Sequence, residues 1–132
     1  MTAIYQNLQH QDDVLNGVRV RSAAELAEVI NQISENPGFI AELVFENKKR
    51  LEFGVGPIAY CAQITNIDDL PPYLVAKSKV PHFKQLSAFY LLDGSLTEIS
   101  PQHQISKREL ADVLERFIVS GEPSTTVEWD TI

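Results

Sequence analysis

The sequence predicts an α+β fold, in which a mainly antiparallel β-sheet of about five to seven strands carries two helices packed on one face. Apolar residues recur at helical spacing within residues 22–38 and 105–121. Between and after these segments, runs with a period of two are separated by short turn signals. The 132 residues fit one domain, residues 1–132, with residues 1–16 loosely ordered.

The first helix is predicted in SAAELAEVINQISENPG, residues 22–38. Ser22 is placed to cap this helix, and Glu25 completes a capping box. One apolar stripe follows, made of Leu26, Val29, Ile30 and Ile33. Pro37 and Gly38 end the helix. Before it, LNGVRVRS predicts one short strand.

A period of two begins at Phe39 and predicts a strand over residues 39–46, with Leu43 on one face and Glu42 on the other. After a basic turn, LEFGVG and IAYCAQIT are two further strand candidates, separated by Gly54, Gly56 and Pro57. An antiparallel meander is the simplest arrangement. Residues 54–56 are too short for a dinucleotide fingerprint, and we interpret them as a bulge or a tight turn.

The segment NIDDLPPY is predicted to be a loop, and YLVAK a short strand at a sheet edge. In SAFYLLDGSLTEIS, Asp93 and Gly94 lie between two β-rich runs, which is a strong hairpin signal.

The second helix is predicted in ISKRELADVLERFIVSG, residues 105–121. Ser106 and Glu109 form a capping box, and Gly121 is placed as the C-cap. TTVEW then predicts a final strand that contains the only tryptophan, Trp129. We expect Trp129 to fill the core beneath this helix and its acidic neighbours to face solvent.

The charge and the apolar content of the chain limit the kinds of partner and of cellular location that we expect. Eighteen acidic and eleven basic residues give a net charge of -7, which repels nucleic acid and favours a basic protein partner. No apolar run is long enough to span a membrane. The N-terminus has no signal peptide and Cys61 has no disulfide partner, so we expect a cytoplasmic protein.

The sequence contains no catalytic constellation, metal site or cofactor motif that we recognise. The three histidines lack partners at zinc-ligand spacing. Cys61 alternates within a strand and is expected to be a small buried hydrophobe. We interpret the pair Asp68 and Asp69, and the pair Glu128 and Asp130, as solvated acids, because sequence adjacency alone does not create an acid–base pair. A non-enzymatic binding module is the simplest interpretation.

Residues 86–130 resemble the first immunity-protein family of bacterial polymorphic-toxin systems. Members of that family combine an Asp-Gly turn, a capped helix that opens with Ile-Ser and ends near an aromatic, a Gly-Pro bend and a terminal Val-x-Trp strand. The corresponding positions here are Asp93, Gly94, Ile105, Ser106, Phe117, Gly121, Pro123, Val127 and Trp129. LEFGVG resembles the glycine-bearing strand in the middle of that family.

The resemblance implies that the chain binds and neutralises a cognate toxin, typically one that modifies nucleic acid, such as a deaminase or a nuclease. Because such toxins carry basic grooves, an acidic protein can occupy them through complementary charge. We expect a monomer or weak homodimer, with the toxin-binding residues Asp68, Asp69, Tyr73, Glu122, Glu128 and Asp130.

Two other classes of function remain open. A pocket on the concave face of the sheet could hold a small ligand or a catalytic site, formed by residues such as Tyr60, Cys61, Tyr90 and His103. A self-associating structural subunit is the other alternative.

Overall fold

The computed structural model describes residues 3–7, 17–33, 39–55, 60–68, 70–79, 88–92 and 95–132. Within these ranges the strands are β1 (Ala3–Asn7), β2 (Arg19–Val20), β3 (Phe39–Phe45), β4 (Lys49–Val55), β5 (Tyr60–Asn66), β6 (Leu74–Lys77), β7 (Ala88–Leu92), β8 (Ser95–Ile99) and β9 (Glu128–Thr131). The helices are α1 (Ala23–Ile33) and α2 (Lys107–Ser120), and a 3-10 helix, Pro101–His103, lies between β8 and α2.

The main sheet has seven strands in the order β2-β1-β3-β4-β5-β6-β9, and every pairing in it is antiparallel. The predicted α+β class is therefore confirmed. β7 and β8 form the predicted hairpin, with Leu92 opposite Ser95. This hairpin is a separate two-stranded sheet rather than a part of the main one. Asp93 and Gly94 themselves lie outside the described residues.

Both predicted helices are present, and their N-terminal hydrogen bonds explain where they begin. The Ser106 side chain accepts a hydrogen bond from the Glu109 backbone, and the Glu109 carboxylate accepts one from the Ser106 N–H, which completes the capping box of α2. In α1, the Ser22 hydroxyl accepts from Glu25 N at 3.2 Å. The Glu25 carboxylate reaches one residue further back than expected and accepts from Arg21 N at 2.8 Å.

The helices cover one face of the sheet, called the helix face here. Apolar residues of both helices form one buried cluster there with alternate residues of β3, β4 and β5. The largest side chains with almost no exposure are Phe53, Phe117, Leu26, Leu43, Leu51, Ile118, Val20 and Val113. The ring centroids of Phe45 and Phe117 lie 5.9 Å apart and the ring planes are tilted by 60°, a separation within the range that aromatic pairs favour. This face supplies most of the buried apolar area, and hence most of the stability.

Gly121 ends α2 in the left-handed conformation at φ 70, as the sequence predicted. A Cβ built on this residue would come within 2.5 Å of the Phe45 ring. Both the backbone conformation and the close approach therefore require glycine.

Three strands differ from the sequence prediction. Residues 1–16 were expected to be loosely ordered, whereas Ala3–Asn7 pairs with β2 and β3 inside the sheet. β6 was predicted at a sheet edge, but β9 pairs with it and takes the edge position. Gly54 is neither a bulge nor a turn, because it pairs in uninterrupted register with Ile40 and Cys61.

The opposite side of the sheet is called the second face here. It carries the residues that alternate with those of the helix face, among them Ile40, Glu42, Arg50, Glu52, Cys61, Gln63, Val75 and Asp130. Polar and charged groups are much more frequent on this face than on the helix face. A pocket with polar groups, as predicted, would therefore form on this face.

Candidate functional site

Asp68 lies in the loop between β5 and β6 and is exposed. Its Oδ1 atom accepts a hydrogen bond from the Leu70 N–H at 3.1 Å, the pattern by which aspartate organises a turn. The Ile67 N–H donates to the Lys48 carbonyl at 3.0 Å, which fixes the start of this loop to the β3–β4 turn. Asp69, its predicted partner, lies outside the described residues.

Tyr73 joins this loop to the C-terminus. Its N–H donates to the Ile132 carbonyl at 3.0 Å, and the Ile132 N–H donates to the Tyr73 carbonyl at 2.9 Å. The two bonds extend the β6–β9 ladder by one residue pair at the end of the sheet. The end of the β5–β6 loop and the C-terminal residue, which are far apart in the sequence, are thus neighbours in the structure.

Exposed apolar side chains accompany Asp68 and Tyr73. Ile67 is 37% exposed, Leu70 is 60% exposed and Ile132 is 63% exposed. We call the surface made by Ile67, Asp68, Leu70, Tyr73 and Ile132 the loop end. Exposed apolar groups beside charged ones are typical of protein-binding sites.

Glu122 is also exposed but is engaged with a cation. One of its carboxylate oxygens lies 3.6 Å from Lys49 Nζ, with the two side chains 55% and 34% exposed respectively. Lys49 is opposite Phe45 in the sheet, so this pair lies toward the helix face. An exposed pair of this kind contributes about 0–1 kcal/mol to folding and leaves Glu122 accessible.

Glu128 and Asp130 share one side of β9, as predicted, but their surroundings differ. Glu128 is exposed and lies opposite Lys77 of β6. Asp130 was expected to face solvent, whereas its side chain is 39% exposed and its Oδ2 atom is 2.9 Å from His103 Nε2. On the other side of the imidazole, Ser100 Oγ lies 3.2 Å from His103 Nδ1. Both ring nitrogens of His103 are therefore engaged.

Trp129 lies opposite Ala76, which is fully buried on the helix face. The tryptophan ring is half-buried and packs against the core, and its Nε1–H donates to the Ser124 carbonyl at 2.8 Å. The ring therefore lies at the margin of the core, whereas the sequence predicts that it fills the interior.

A cleft of about 400 Å³ opens on the second face beside β8 and the 3-10 helix. Its polar groups come from Glu52, Gln63, Glu98, Ser100 and His103. Its apolar wall consists of Ile40, Phe53, Ala62, Val75, Ile99 and Ile132, and Cys61 also lines it. No lysine or arginine is present among the described residues that line the cleft.

Two of the four residues proposed for a concave pocket, Cys61 and His103, do line this cleft. Tyr60 packs against the core instead, and the side chain of Tyr90 is outside the described part of the chain. Burial raises the pKa of the Cys61 thiol to about 12; the nearby Glu52 carboxylate adds to the rise, and a backbone hydrogen bond from Gly54 opposes it. The thiol is therefore protonated at neutral pH and is a poor nucleophile.

Among the residues that the structure describes, no cluster of three or more His, Cys, Asp or Glu side chains could hold a metal ion. The described helices also include none that is long and apolar enough to cross a membrane.

Glu52, Gln63 and Glu98 also line the cleft and were not predicted from the sequence. A signal was present for Glu52 and Gln63, since each alternates with buried apolar residues in its strand and must face away from the helices. Glu98 was not predictable, because the hairpin that contains it is a separate sheet.

The family model for Immunity protein Imm1 matches residues 16–131 of this chain. The matched span includes α1, α2 and β2 to β9. It also includes every residue of the loop end and of the cleft except Ile132, which belongs to both. The resemblance found in the C-terminal third extends over most of the chain.

Proposed function

Because this chain belongs to the Imm1 immunity protein family, and is thus a toxin immunity protein, we propose that it neutralises its cognate toxin by covering a basic surface of that toxin with the loop end and β9. The observation that carries this proposal is the loop end itself. There, exposed Asp68 accepts a hydrogen bond from the backbone of exposed Leu70, and Tyr73 of the same loop is bonded to exposed Ile132.

The chemistry of the loop end matches that of a protein interface. Stable interfaces have an apolar centre surrounded by polar groups, and aromatic residues are frequent anchors. Ile67, Leu70 and Ile132 supply the apolar centre, and Tyr73 supplies an aromatic ring next to it. Asp68 and Asp69 supply negative charge at the same loop.

The net charge of -7 supports a basic partner, since opposite charges accelerate encounter and disfavour wrong partners. Toxins that act on nucleic acid need basic grooves, so we propose a deaminase or nuclease of a polymorphic-toxin or contact-dependent inhibition system. The immunity protein acts in the cytoplasm of the producing cell and carries out no chemistry of its own.

The six predicted binding residues have different roles in this proposal. Asp68, Asp69 and Tyr73 contact the toxin directly at the loop. Glu128 extends the acidic surface along β9. Asp130 acts through its bond to His103, and Glu122 contributes only at the rim, because Lys49 already partly compensates its charge.

A cleft lined by Cys61 and His103 is the observation that favours the other class, a ligand-binding or catalytic domain. The pKa of Cys61, raised to about 12, opposes nucleophilic catalysis at this position.

Charge reversal tests the proposed surface. The variant Asp68→Lys/Glu128→Lys should bind a catalytically inactive toxin domain on the order of 100-fold more weakly and should not protect cells, because like charges would then face each other. The control, Glu28→Lys/Glu115→Lys, makes the same change in net charge on exposed helix positions. We expect its affinity to change less than about threefold, as remote exposed charges are largely screened. Affinity is measured by calorimetry, with unfolding midpoints to check the fold.

Equal weakening by the two variants would mean that total charge, rather than the loop end and β9, governs binding. Unchanged affinity in both would contradict a charge-complementary interface.

A further inference from the structure

We propose that the outer edge of β9, the side away from β6, receives an extended segment of the cognate toxin as an additional strand of the main sheet. This inference rests on the proposed function and specifies how the toxin is held, which the family match leaves open. The segment that fits this edge carries basic residues in alternation with apolar ones.

The backbone of β9 is satisfied on one side only. The N–H and C=O groups of Ile132 both bond to Tyr73, which makes these two residues a hydrogen-bonded pair of the β6–β9 ladder. Because bonded pairs alternate with non-bonded pairs along an antiparallel ladder, Trp129 and Thr131 direct their N–H and C=O groups away from β6. Among the described residues, no backbone group pairs with them on that side.

β9 lacks several features that usually protect a sheet edge from pairing. Its sequence, EWDT, contains no proline and no lysine, and it pairs with β6 in uninterrupted register without a bulge. Ile132 extends the edge by one further residue, so that its length approaches the usual strand length of about 5–6 residues. An edge of this kind is a template for one more strand.

The strand at the other edge of the sheet, β2, does not offer the same template. It is only two residues long, and its exposed residue is Arg19. A basic toxin segment would meet a positive charge there, and so short a strand provides few backbone bonds. Of the two edge strands, β9 is therefore the one that fits a basic partner.

The side chains of β9 select the occupant. On the second face, exposed Glu128 would lie beside a residue of the added strand, where arginine or lysine is favoured. Among the described residues Glu128 forms no ion pair, although Lys77 lies opposite it in β6. Asp130 is already bonded to His103, so Glu128 supplies most of the attraction. On the helix face, an apolar toxin residue would cover the half-buried ring of Trp129.

The same carboxylates disfavour a second copy of the chain at this edge. In a two-fold pairing of two β9 strands centred on Trp129, Glu128 of each copy would lie opposite Asp130 of the other. A pairing centred on Asp130 would place the two copies of that aspartate directly opposite each other. Like charges opposite one another in a sheet are destabilising. β9 therefore resists self-pairing while it remains open to a basic strand.

The outer edge of β9 is continuous with the loop end. Ile132 belongs to the loop end and directly follows β9, and its backbone is bonded to Tyr73. A toxin segment that pairs with β9 therefore leads onto the surface formed by these two residues. Backbone hydrogen bonds along β9 would supply affinity, and the side chains of the loop end would supply specificity.

Removal of one outward N–H group tests the added strand. The variant Thr131→Pro lacks this donor but keeps the donors that bond to β6, because the Thr131 N–H points away from that strand. It should bind the inactive toxin domain at least about tenfold more weakly than the matched variant Thr131→Val, which keeps the N–H and a branched side chain. The reason is that a toxin carbonyl would lose its donor inside the interface.

Calorimetry measures both affinities, with unfolding midpoints to check the fold. Equal affinities of Thr131→Pro and Thr131→Val would overturn strand addition. A stable dimer of the free chain that Thr131→Pro dissociates, detected by sedimentation, would also overturn it and would assign the edge to a second copy instead.

Hydrogen exchange gives a second test that needs no substitution. In the toxin complex, pairing should slow exchange of the Trp129 and Thr131 amides at least about tenfold relative to the free chain, because these are the donors that the added strand would engage. NMR resolves the individual amides. Exchange at both positions as fast as in the free chain overturns strand addition, even if Thr131→Pro proves too unstable for binding measurements.

The failure of strand addition and the failure of the proposed function look different in these experiments. If the unmodified chain forms no complex with the toxin, the proposed function itself is contradicted. If the complex forms and Asp68→Lys/Glu128→Lys weakens it, while Thr131→Pro binds as tightly as Thr131→Val, only strand addition is wrong.

Discussion

The two faces of the main sheet contrast in composition although the same strands form both. On the helix face, Leu43, Leu51 and Phe53 are completely buried. On the second face, their sequence neighbours include Glu42 and Arg50, paired at 3.1 Å with side chains 16% and 22% exposed. One face is a dry core and the other a partly covered polar surface.

The difference shows that the two faces of one sheet contribute unequally to stability. Burial of apolar area on the helix face provides the main driving force for folding. The second face places Glu42, Glu52 and Gln63 in one row across three strands, an arrangement that adds little to stability.

The largest effect expected from this comparison is on the free energy of unfolding. Phe117→Ala should lower it by about 3–5 kcal/mol, because the ring is fully buried against Phe45 on the helix face. Gln63→Ala, its counterpart on the second face, should lower it by less than about 1 kcal/mol. Urea unfolding followed by circular dichroism measures both changes.

Toxin affinity should change little in Phe117→Ala that remains folded, because Phe117 lies outside the loop end and β9. Comparable losses of stability in the two variants would show that the second face also carries the fold.

Trp129 lies at the boundary between the two regions, so Trp129→Ala should have an intermediate effect. We expect a loss of about 2–3 kcal/mol, since the half-buried ring gives up part of its apolar contact and its hydrogen bond to the Ser124 carbonyl. The shift in melting temperature measures this loss. A loss as large as that of Phe117→Ala would mean that the ring belongs to the centre of the core, and no loss would mean that it does not support the core at all.

Much of the fold was predictable, because local signals and tertiary structure agree there. Ser106 and Gly121 mark the limits of α2 in the sequence as they do in the structure, and the alternation from Phe39 onward correctly separates the helix face from the second face. Where both caps and periodicity are clear, the helix does not depend on distant residues for its boundaries.

Predictions failed where long-range pairing decides the outcome. β1 has no strong periodicity and is a strand because β2 and β3 lie on either side of it. β6 is interior only because β9 returns beside it. Cys61 and His103 of the cleft could be named from the sequence, but Glu98 was missed, because it comes from a separate sheet. The loop around Asp68 could be identified from its acids and prolines.

The smallest effect concerns the thiol of the second face and depends on pH. The pKa of Cys61 is raised from 9.0 to about 12 in the folded chain, so between these values the folded state binds more protons than the unfolded state. The stabilisation that comes from the protonated thiol is fully present below pH 9 and is lost as the pH rises toward 12. Because Cys61 is only half-buried, we expect the unmodified chain to lose about 1 kcal/mol more than Cys61→Ala between pH 8 and pH 10.

Urea unfolding at pH 8, 9 and 10 compares the two chains, and lysine and tyrosine titrations cancel in the difference. Parallel stability curves would show that water reaches the thiol freely, and the second face would then be more open than the cleft geometry indicates.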